Sequence, residues 1–389
     1  MARIVNIADP PLSDDELFSS EIGVLEQRLL PLALKNGLAL NTVALESITT
    51  VSEDMFLDSS NNTILYRVKL EESIVISSET YPMIIDEVAV RVNARSCTVG
   101  SSHLGLNAGI VGLVLNTLYP RIPNFGFTLT VEYPVELPNE RLFVRCNSTH
   151  WVSSDSWVTS NSRVISSYIP DSITLDIFAR NNATSLPRFK AVLKQLFYAH
   201  HDAYANVRFS HYDFHLGNIL ISPIQSSRLV QYTAGALLLD TDLVTIIDFE
   251  FSHVVFRGEH LGCFDRKAKL YNRPFWVYDI FTVLMSLYLA LDVRTESGYQ
   301  QAEINNIRTL ASHLSPKARE KYVADKVAAL HLIQMNGWDE KQTYIGKLLQ
   351  HFVGPNVEGS FSYWRCNNNL TPTTNTEAAV YEDFLSLLD

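Results

Sequence analysis

The chain has few cysteines. The four it has, Cys97, Cys146, Cys263 and Cys366, are widely spaced and form no C-x-x-C pair, which excludes a dense disulfide framework and points to a reduced, intracellular (cytoplasmic) setting. Positive charge is also short: 31 Lys and Arg against 42 Asp and Glu leave a formal net charge of -11. That balance excludes a broad basic face for gripping a phosphate backbone, so no nucleic-acid partner is expected. No apolar run approaches the roughly 20 residues of a membrane span. The longest, Ile280 to Leu291, reads as a buried helix, and no membrane partner is expected. The first ten residues lack the apolar stretch of a secretory leader, so the Asn-x-Ser/Thr sequons at Asn61, Asn147, Asn182 and Asn369 carry little weight. What remains, 47% hydrophobic and 19% charged over 389 residues, is a folded globular protein with a sizeable core.

Against this background one segment stands out. His211-Tyr212-Asp213-Phe214-His215-Leu216-Gly217-Asn218 runs into the apolar Ile219-Leu220-Ile221, and Leu243 to Ile247 runs into Asp248-Phe249. Each motif abuts a short β-branched strand. The spacing suits phosphoryl transfer: an Asp accepts the proton of an attacking hydroxyl, an Asn five residues later holds Mg²⁺, and an Asp ending a later strand holds Mg²⁺ against nucleotide phosphates. Asp213, Asn218 and Asp248 fill these positions.

The order of elements gives an α+β, bilobal architecture. Residues 1–45 form an N-terminal helical extension, with a helix over Leu12 to Asn36. Residues 46–170 are a β-rich lobe, with strands at Thr63 to Leu70, Val88 to Val92, Phe127 to Val131 and Leu142 to Arg145 and one helix from His103 to Tyr119. Residues 171–389 are a mainly helical lobe carrying the catalytic loop, with helices at Pro187 to His201, Pro274 to Leu291, Glu303 to Leu314, Ser315 to Met335, Lys341 to Phe352 and a short one near Glu377 to Leu388. Asn367 to Thr376 reads as a loop. The segment Ser166 to Pro170 joins the two lobes, and Ser167 and Tyr168 are candidate nucleotide contacts.

With these motifs the chain resembles the protein-kinase-like superfamily, in detail the divergent kinases of large DNA viruses. The likeness lies in the catalytic loop, in Asp248, and in Ile122-Pro123-Asn124-Phe125 after Val111 to Asn116. Ile247-Asp248-Phe249-Glu250 is also similar to the aminoglycoside and choline phosphotransferases. The resemblance implies a bilobal kinase-like fold using ATP and Mg²⁺, with Asp213 as base, Asn218 and Asp248 as metal ligands, and His211 as a histidine bonding backbone near the metal motif. Asp279 resembles a buried Asp that holds the catalytic-loop backbone, the plainer alternative being a helix N-cap. His215 stands where protein kinases carry a Lys, and either contacts phosphate or packs within the loop. Ser222 to Asp240 reads as an insertion extending the hairpin between the two motif strands.

The pattern departs from that family at the cation. Glu87-Val88-Ala89-Val90-Arg91 resembles Val-Ala-Ile-Lys with Arg in place of Lys, and Arg is not a neutral exchange at a bonded site. Lys69 is the alternative phosphate contact. No Asp or Glu lies between Arg91 and Glu132, so the helix from His103 to Tyr119 offers the cation no carboxylate. Asp58 to Thr63, read as a loop before the first strand, contains no glycine to wrap phosphates. Three functions follow as expectations: a kinase acting on protein hydroxyls, a transferase acting on a small-molecule alcohol, and a pseudokinase interaction module.

Overall fold

The computed structural model describes residues 55–60, 63–76, 83–93, 101–119, 121–132, 162–262, 276–291, 340–353 and 381–388. Within them, β1 (Met55–Ser60), β2 (Thr63–Ile76), β3 (Met83–Asn93), β4 (Thr128–Glu132) and β5 (Ser162–Ser167) form one antiparallel sheet in the order β1-β2-β3-β5-β4. Burial alternates along it as a pleated strand requires. Val68, Leu70, Val88 and Val90 pack with Phe127, Leu129 and Ile165, which leaves Arg67, Lys69, Glu87, Ala89 and Arg91 to the opposite face.

Strand β1 corrects the sequence reading. Asp58 to Ser60, expected in a loop, are strand residues opposite Leu65, Ile64 and Thr63, closing a hairpin with two residues between the strands. Serine and aspartate have weak strand preference, and pairing with β2 overrides it.

Helix α1 (Ser101–Asn116) is buried all round from Ala108 to Val114 and lies against β3, β4 and β5, as a helix without a polar face must. Gly112 permits the close approach, since a Cβ there would stand 2.0 Å from Thr128 Oγ1. At the end of the helix Asn116 pairs with the Thr128 backbone in both directions, donating at 2.6 Å and accepting at 3.0 Å. Ile122-Pro123-Asn124-Phe125 then docks on a more distant strand. Ile246 N–H donates to Asn124 O at 2.8 Å, and Asn124 Nδ2 donates to Val244 O and Gln195 Oε1, each at 2.8 Å.

The following part carries β6 (Ile173–Thr174), β7 (Ile219–Pro223) and β10 (Asp242–Ile246) in a second antiparallel sheet, order β10-β7-β6. Helix α2 (Leu175–Arg180) packs on β6 and β7 and α3 (Leu186–Val207) on β10, while α4 (Trp276–Ala290) packs on α2 and α3, and α5 (Glu340–Val353) on α4 and α3. Helix α3 starts where Ser185 Oγ accepts the Arg188 N–H and Pro187 sits in the first turn, both favourable N-terminal signals. It ends at Arg208 in the left-handed region. The insertion between the motif strands forms a separate hairpin, β8 (Arg228–Tyr232) with β9 (Gly235–Leu239), rather than lengthening β7 and β10. The β7–β10 ladder ends at Pro223 opposite Asp242, with Ile224 N–H donating to Thr241 O at 3.1 Å just beyond it. A further hairpin, β11 (His253–Phe256) with β12 (Glu259–Gly262), completes a mixed helix and strand architecture with antiparallel sheets.

The helical extension at 1–45, the strand at Leu142 to Arg145, the helices at Glu303 to Leu314 and Ser315 to Met335, and the loop Asn367 to Thr376 lie outside the described residues. Among the described residues no helix is long and apolar enough to cross a membrane.

Candidate active site

The ladder of β7 and β10 sets the site. Ile219 pairs with Ile246 at one end, so Asn218, just before β7, and Asp248, just after β10, emerge from the same end of the same pair. Ile247 N–H donates to Asn218 O at 3.0 Å and fixes that register beyond the strands.

The loop before β7 is held by backbone bonds. Asp213 O accepts from His215 N–H at 2.8 Å and from Asn218 Nδ2 at 2.9 Å. This engages the amide nitrogen of Asn218 and orients its carbonyl oxygen away from Asp213 O. His215 Nδ1 accepts the Gly217 N–H at 3.1 Å, which places the proton on Nε2, 3.6 Å from Asp213 Oδ2. His215 therefore braces the loop beside the carboxylate. His211 stacks on Phe214 and its Nε2 donates to Ile247 O at 2.9 Å, one residue before Asp248. The structure thus puts His211 on backbone and leaves Asp213, with 36% of its side chain exposed, as the accessible carboxylate of the loop.

Asp279, fully buried on α4, accepts from the backbone N–H of His211 at 2.6 Å and of Tyr212 at 2.8 Å. Tyr212 sits at φ 62, a region costly for a residue with a Cβ, and the second of these bonds holds it there. An N-cap role would have used the carboxylate on its own helix instead.

Asp248 is likewise in the left-handed region, φ 67. Asn107 of α1 fixes the chain just after it, with Nδ2 facing the carbonyl oxygens of Glu250 at 2.8 Å, Ser252 at 3.0 Å and Phe249 at 3.3 Å. Phe249 is buried among Phe125, Phe209 and His211. The helix that carries no carboxylate thus contributes an amide that clamps the metal-motif loop.

The missing carboxylate comes from that loop. Arg91 Nη1 stands 2.5 Å from Asp248 Oδ1, and Nη2 stands 2.5 Å from Glu250 Oε1. Burial pulls the Arg91 guanidinium down, but the two carboxylates outweigh it and hold the group above its usual value. Burial also pushes the Glu250 carboxyl up to about 7, with Arg91 opposing and the Asp248 and Asp213 charges adding to the rise. Glu250 was not singled out from sequence. Its signal was its position two residues after Asp248, in the Ile247-Asp248-Phe249-Glu250 motif.

Of the remaining candidates, Lys69 lies on the same sheet face at a distance, and Ser167 pairs with Val88 on the other face. Lys69 is exposed opposite Glu87, whereas Arg91 pairs with Leu65, so Lys69 lies about 13 Å further along β2. Arg67, nearer, makes two short bonds to Glu87, at 2.6 and 2.8 Å, and its guanidinium lies 4.4 Å above the Tyr168 ring. Ser167 Oγ accepts the Phe127 N–H at 3.2 Å, so Ser167 braces the chain connection, while Tyr168 faces the Arg67 side.

The donor set fits a hard divalent cation. Asn218 and Asp248 offer oxygen ligands, and Mg²⁺ completes its shell with water and phosphate instead of a full protein cage. Among the described residues there is no group of three or more His, Cys, Asp or Glu side chains that could hold a metal ion. The guanidinium on Asp248 is a cation already standing at this carboxylate.

No family model matches the chain, and no curated protein matches it. Among solved structures it is similar to WaaP in complex with acyl carrier protein, at 10% identity and a TM-score of 0.34, covering 72% of this chain and 86% of that one.

Proposed function

We propose that this protein is an ATP- and Mg²⁺-dependent phosphotransferase of bilobal, protein-kinase-like fold, and that it phosphorylates a hydroxyl, with protein serine and threonine as the leading acceptors. The observation that carries this reading is the emergence of Asn218 and Asp248 from one end of the β7–β10 ladder, with the accessible Asp213 carboxylate in the loop that Asn218 braces.

In this reading Asp213 accepts the proton of the acceptor hydroxyl as its oxygen bonds to the γ-phosphorus and the bond to the ADP oxygen breaks. His215 Nε2 stands beside the carboxylate, 3.6 Å away. Asn218 Oδ1 and the Asp248 carboxylate would hold Mg²⁺, which when bound neutralises phosphate charge. Arg91 supplies a second positive charge from β3, and Ser167 and Tyr168 are the proposed contacts to the base. The Asp213 side chain is open enough for a hydroxyl on a peptide or on a small alcohol. The Ile247-Asp248-Phe249-Glu250 likeness to small-molecule phosphotransferases keeps the latter as the alternative acceptor.

One observation favours a second reading, a non-catalytic interaction module. Arg91 bonds the metal-ligand Asp248 directly, so a fixed guanidinium would keep the metal out. The two readings separate in a nucleotide-binding experiment. Melting is followed with ATP, with and without Mg²⁺ or Mn²⁺, for the wild type and Asp248→Asn. The catalytic reading expects a metal-dependent rise in the wild type that the variant loses. A wild type that never responds to metal and nucleotide together leaves only the module.

A further inference from the structure

Helix α3 and the last described segment meet behind the catalytic loop. His200 of α3 is fully buried, with Nε2 3.0 Å from Asp279 Oδ2 and Nδ1 2.8 Å from the hydroxyl of Tyr381. Tyr381 is itself fully buried and lies flat on Trp276, centroids 3.9 Å apart at 5°. Asp279 in turn holds the backbone N–H groups of His211 and Tyr212. An unbroken hydrogen-bonded line therefore runs from the C-terminal segment through an imidazole and a carboxylate to the residues immediately before Asp213.

The chemistry of the line fixes the direction of each bond. A carboxylate only accepts, so His200 carries its proton on Nε2 and donates to Asp279. Nδ1 is then an acceptor, and the Tyr381 O–H donates to it at 2.8 Å, with the Phe197 carbonyl a more distant acceptor at 3.5 Å. Burial, with the Asp279 charge adding to it, raises the Tyr381 hydroxyl well above the usual tyrosine value, so it remains a donor.

We propose that Tyr381 is a positioning residue for Asp213: by anchoring His200 Nδ1 it holds the imidazole with Nε2 on Asp279 and so aims Asp279 at the His211 and Tyr212 amides, which makes the C-terminal segment part of the apparatus that positions the loop. This rests on the reading of residues 211–218 as a catalytic loop. Without the hydroxyl, Nδ1 is left buried without its donor, and the His200 ring loses the anchor that keeps Nε2 on Asp279. Asp279 then loses one of its three partners, and the left-handed Tyr212 loses the restraint that keeps it there.

The test compares Tyr381→Phe, which keeps the ring on Trp276, with Phe384→Leu, which alters packing against Phe197 and against the Tyr381 ring but leaves the Tyr381 hydroxyl in place. Amide hydrogen exchange at His211 and Tyr212 is read against the rest of the protein, together with the ¹⁵N shifts of the His200 ring. Tyr381→Phe is expected to speed exchange at these two amides about tenfold relative to other buried amides, and to shift Nδ1. Phe384→Leu lowers the melting temperature without this local change. Exchange that rises uniformly, or not at all, in Tyr381→Phe overturns the proposal. Should that variant not fold, the wild-type ¹⁵N spectrum decides: the shift of a hydrogen-bonded acceptor at His200 Nδ1 upholds the proposal, and a protonated or unbonded Nδ1 overturns it. Neither readout uses nucleotide, so a wild type unable to transfer phosphate would sink the proposed function without touching this result.

Discussion

Arg91 and Asp248 lie 157 residues apart in sequence and 2.5 Å apart through Nη1 and Oδ1. The same guanidinium holds Glu250 with its other terminal nitrogen, so one cation from the five-stranded sheet bridges two carboxylates of the loop after β10. A forked guanidinium can do this with two separate donors, whereas a lysine ammonium is a single point.

Replacing Arg91 separates its two roles. Arg91→Met leaves Asp248 and Glu250 facing each other without a cation, and the apo protein should lose about 1–3 kcal/mol of stability in denaturant titration. Mn²⁺ should then stabilise the variant more than it stabilises the wild type, because the ion no longer competes with a tethered charge. Arg91→Lys should fall between the two. Equal metal responses in all three proteins would mean that Arg91 does not stand in the metal's place.

Lys69→Ala is the matched control on the same sheet. Its side chain is exposed and about 13 Å along the strand from the position opposite Arg91, so stability should change by less than about 0.5 kcal/mol. Nucleotide affinity measured by calorimetry should be unaltered. A large loss of affinity would move the phosphate-contacting role to β2.

Glu250 gives the protein a pH dependence of definite sign. Its carboxyl is raised in the fold to about 7, from an ordinary value of 4.5. The folded state therefore binds this proton more tightly than the unfolded chain. The stabilisation is fully present below the unfolded value and is lost as pH rises through about 7. Wild-type stability should thus fall between pH 5 and 7.5 more steeply than that of Glu250→Gln, by roughly 1–3 kcal/mol. Parallel curves in chemical denaturation would assign the group an ordinary carboxyl instead.

Asn107→Leu keeps the volume of the α1 side chain and removes the amide facing the Phe249, Glu250 and Ser252 carbonyls. Loss of these bonds in a buried setting should cost about 1–3 kcal/mol. Because they hold Asp248 in its left-handed conformation, metal-dependent nucleotide binding should weaken as well. A variant that is destabilised yet binds MnATP normally would separate the clamp from the site.

Parts of this arrangement are legible in sequence because they are local. Asp213, Asn218 and Asp248 fall within two short motifs, and the strands beside them are apolar enough to read directly. Arg91 is legible through Val88-Ala89-Val90, whose alternation places it opposite the buried face. Other parts depend on contacts that no local pattern encodes. The helix from His103 to Tyr119 carries no carboxylate for Arg91, whose partners Asp248 and Glu250 come from a loop far along the chain, and Asn107 takes another task on that helix. β1 was hidden because Asp58 to Ser60 are turn-like residues made strand by pairing. His200 and Tyr381 carry no motif, and only the packing of α3, α4 and the C-terminal segment brings them together.

The most direct measurement is transfer of the γ-phosphoryl group of ATP, followed with labelled nucleotide in Mg²⁺ or Mn²⁺ over a panel of peptide and small-alcohol acceptors, for the wild type and Asp213→Asn. If Asp213 is the base of a phosphotransferase, the wild type transfers label only with metal, and Asp213→Asn still binds MgATP but is slower by about 10²–10⁴-fold. A wild type that binds no nucleotide and transfers no label, or an Asp213→Asn variant as fast as the wild type, would contradict it.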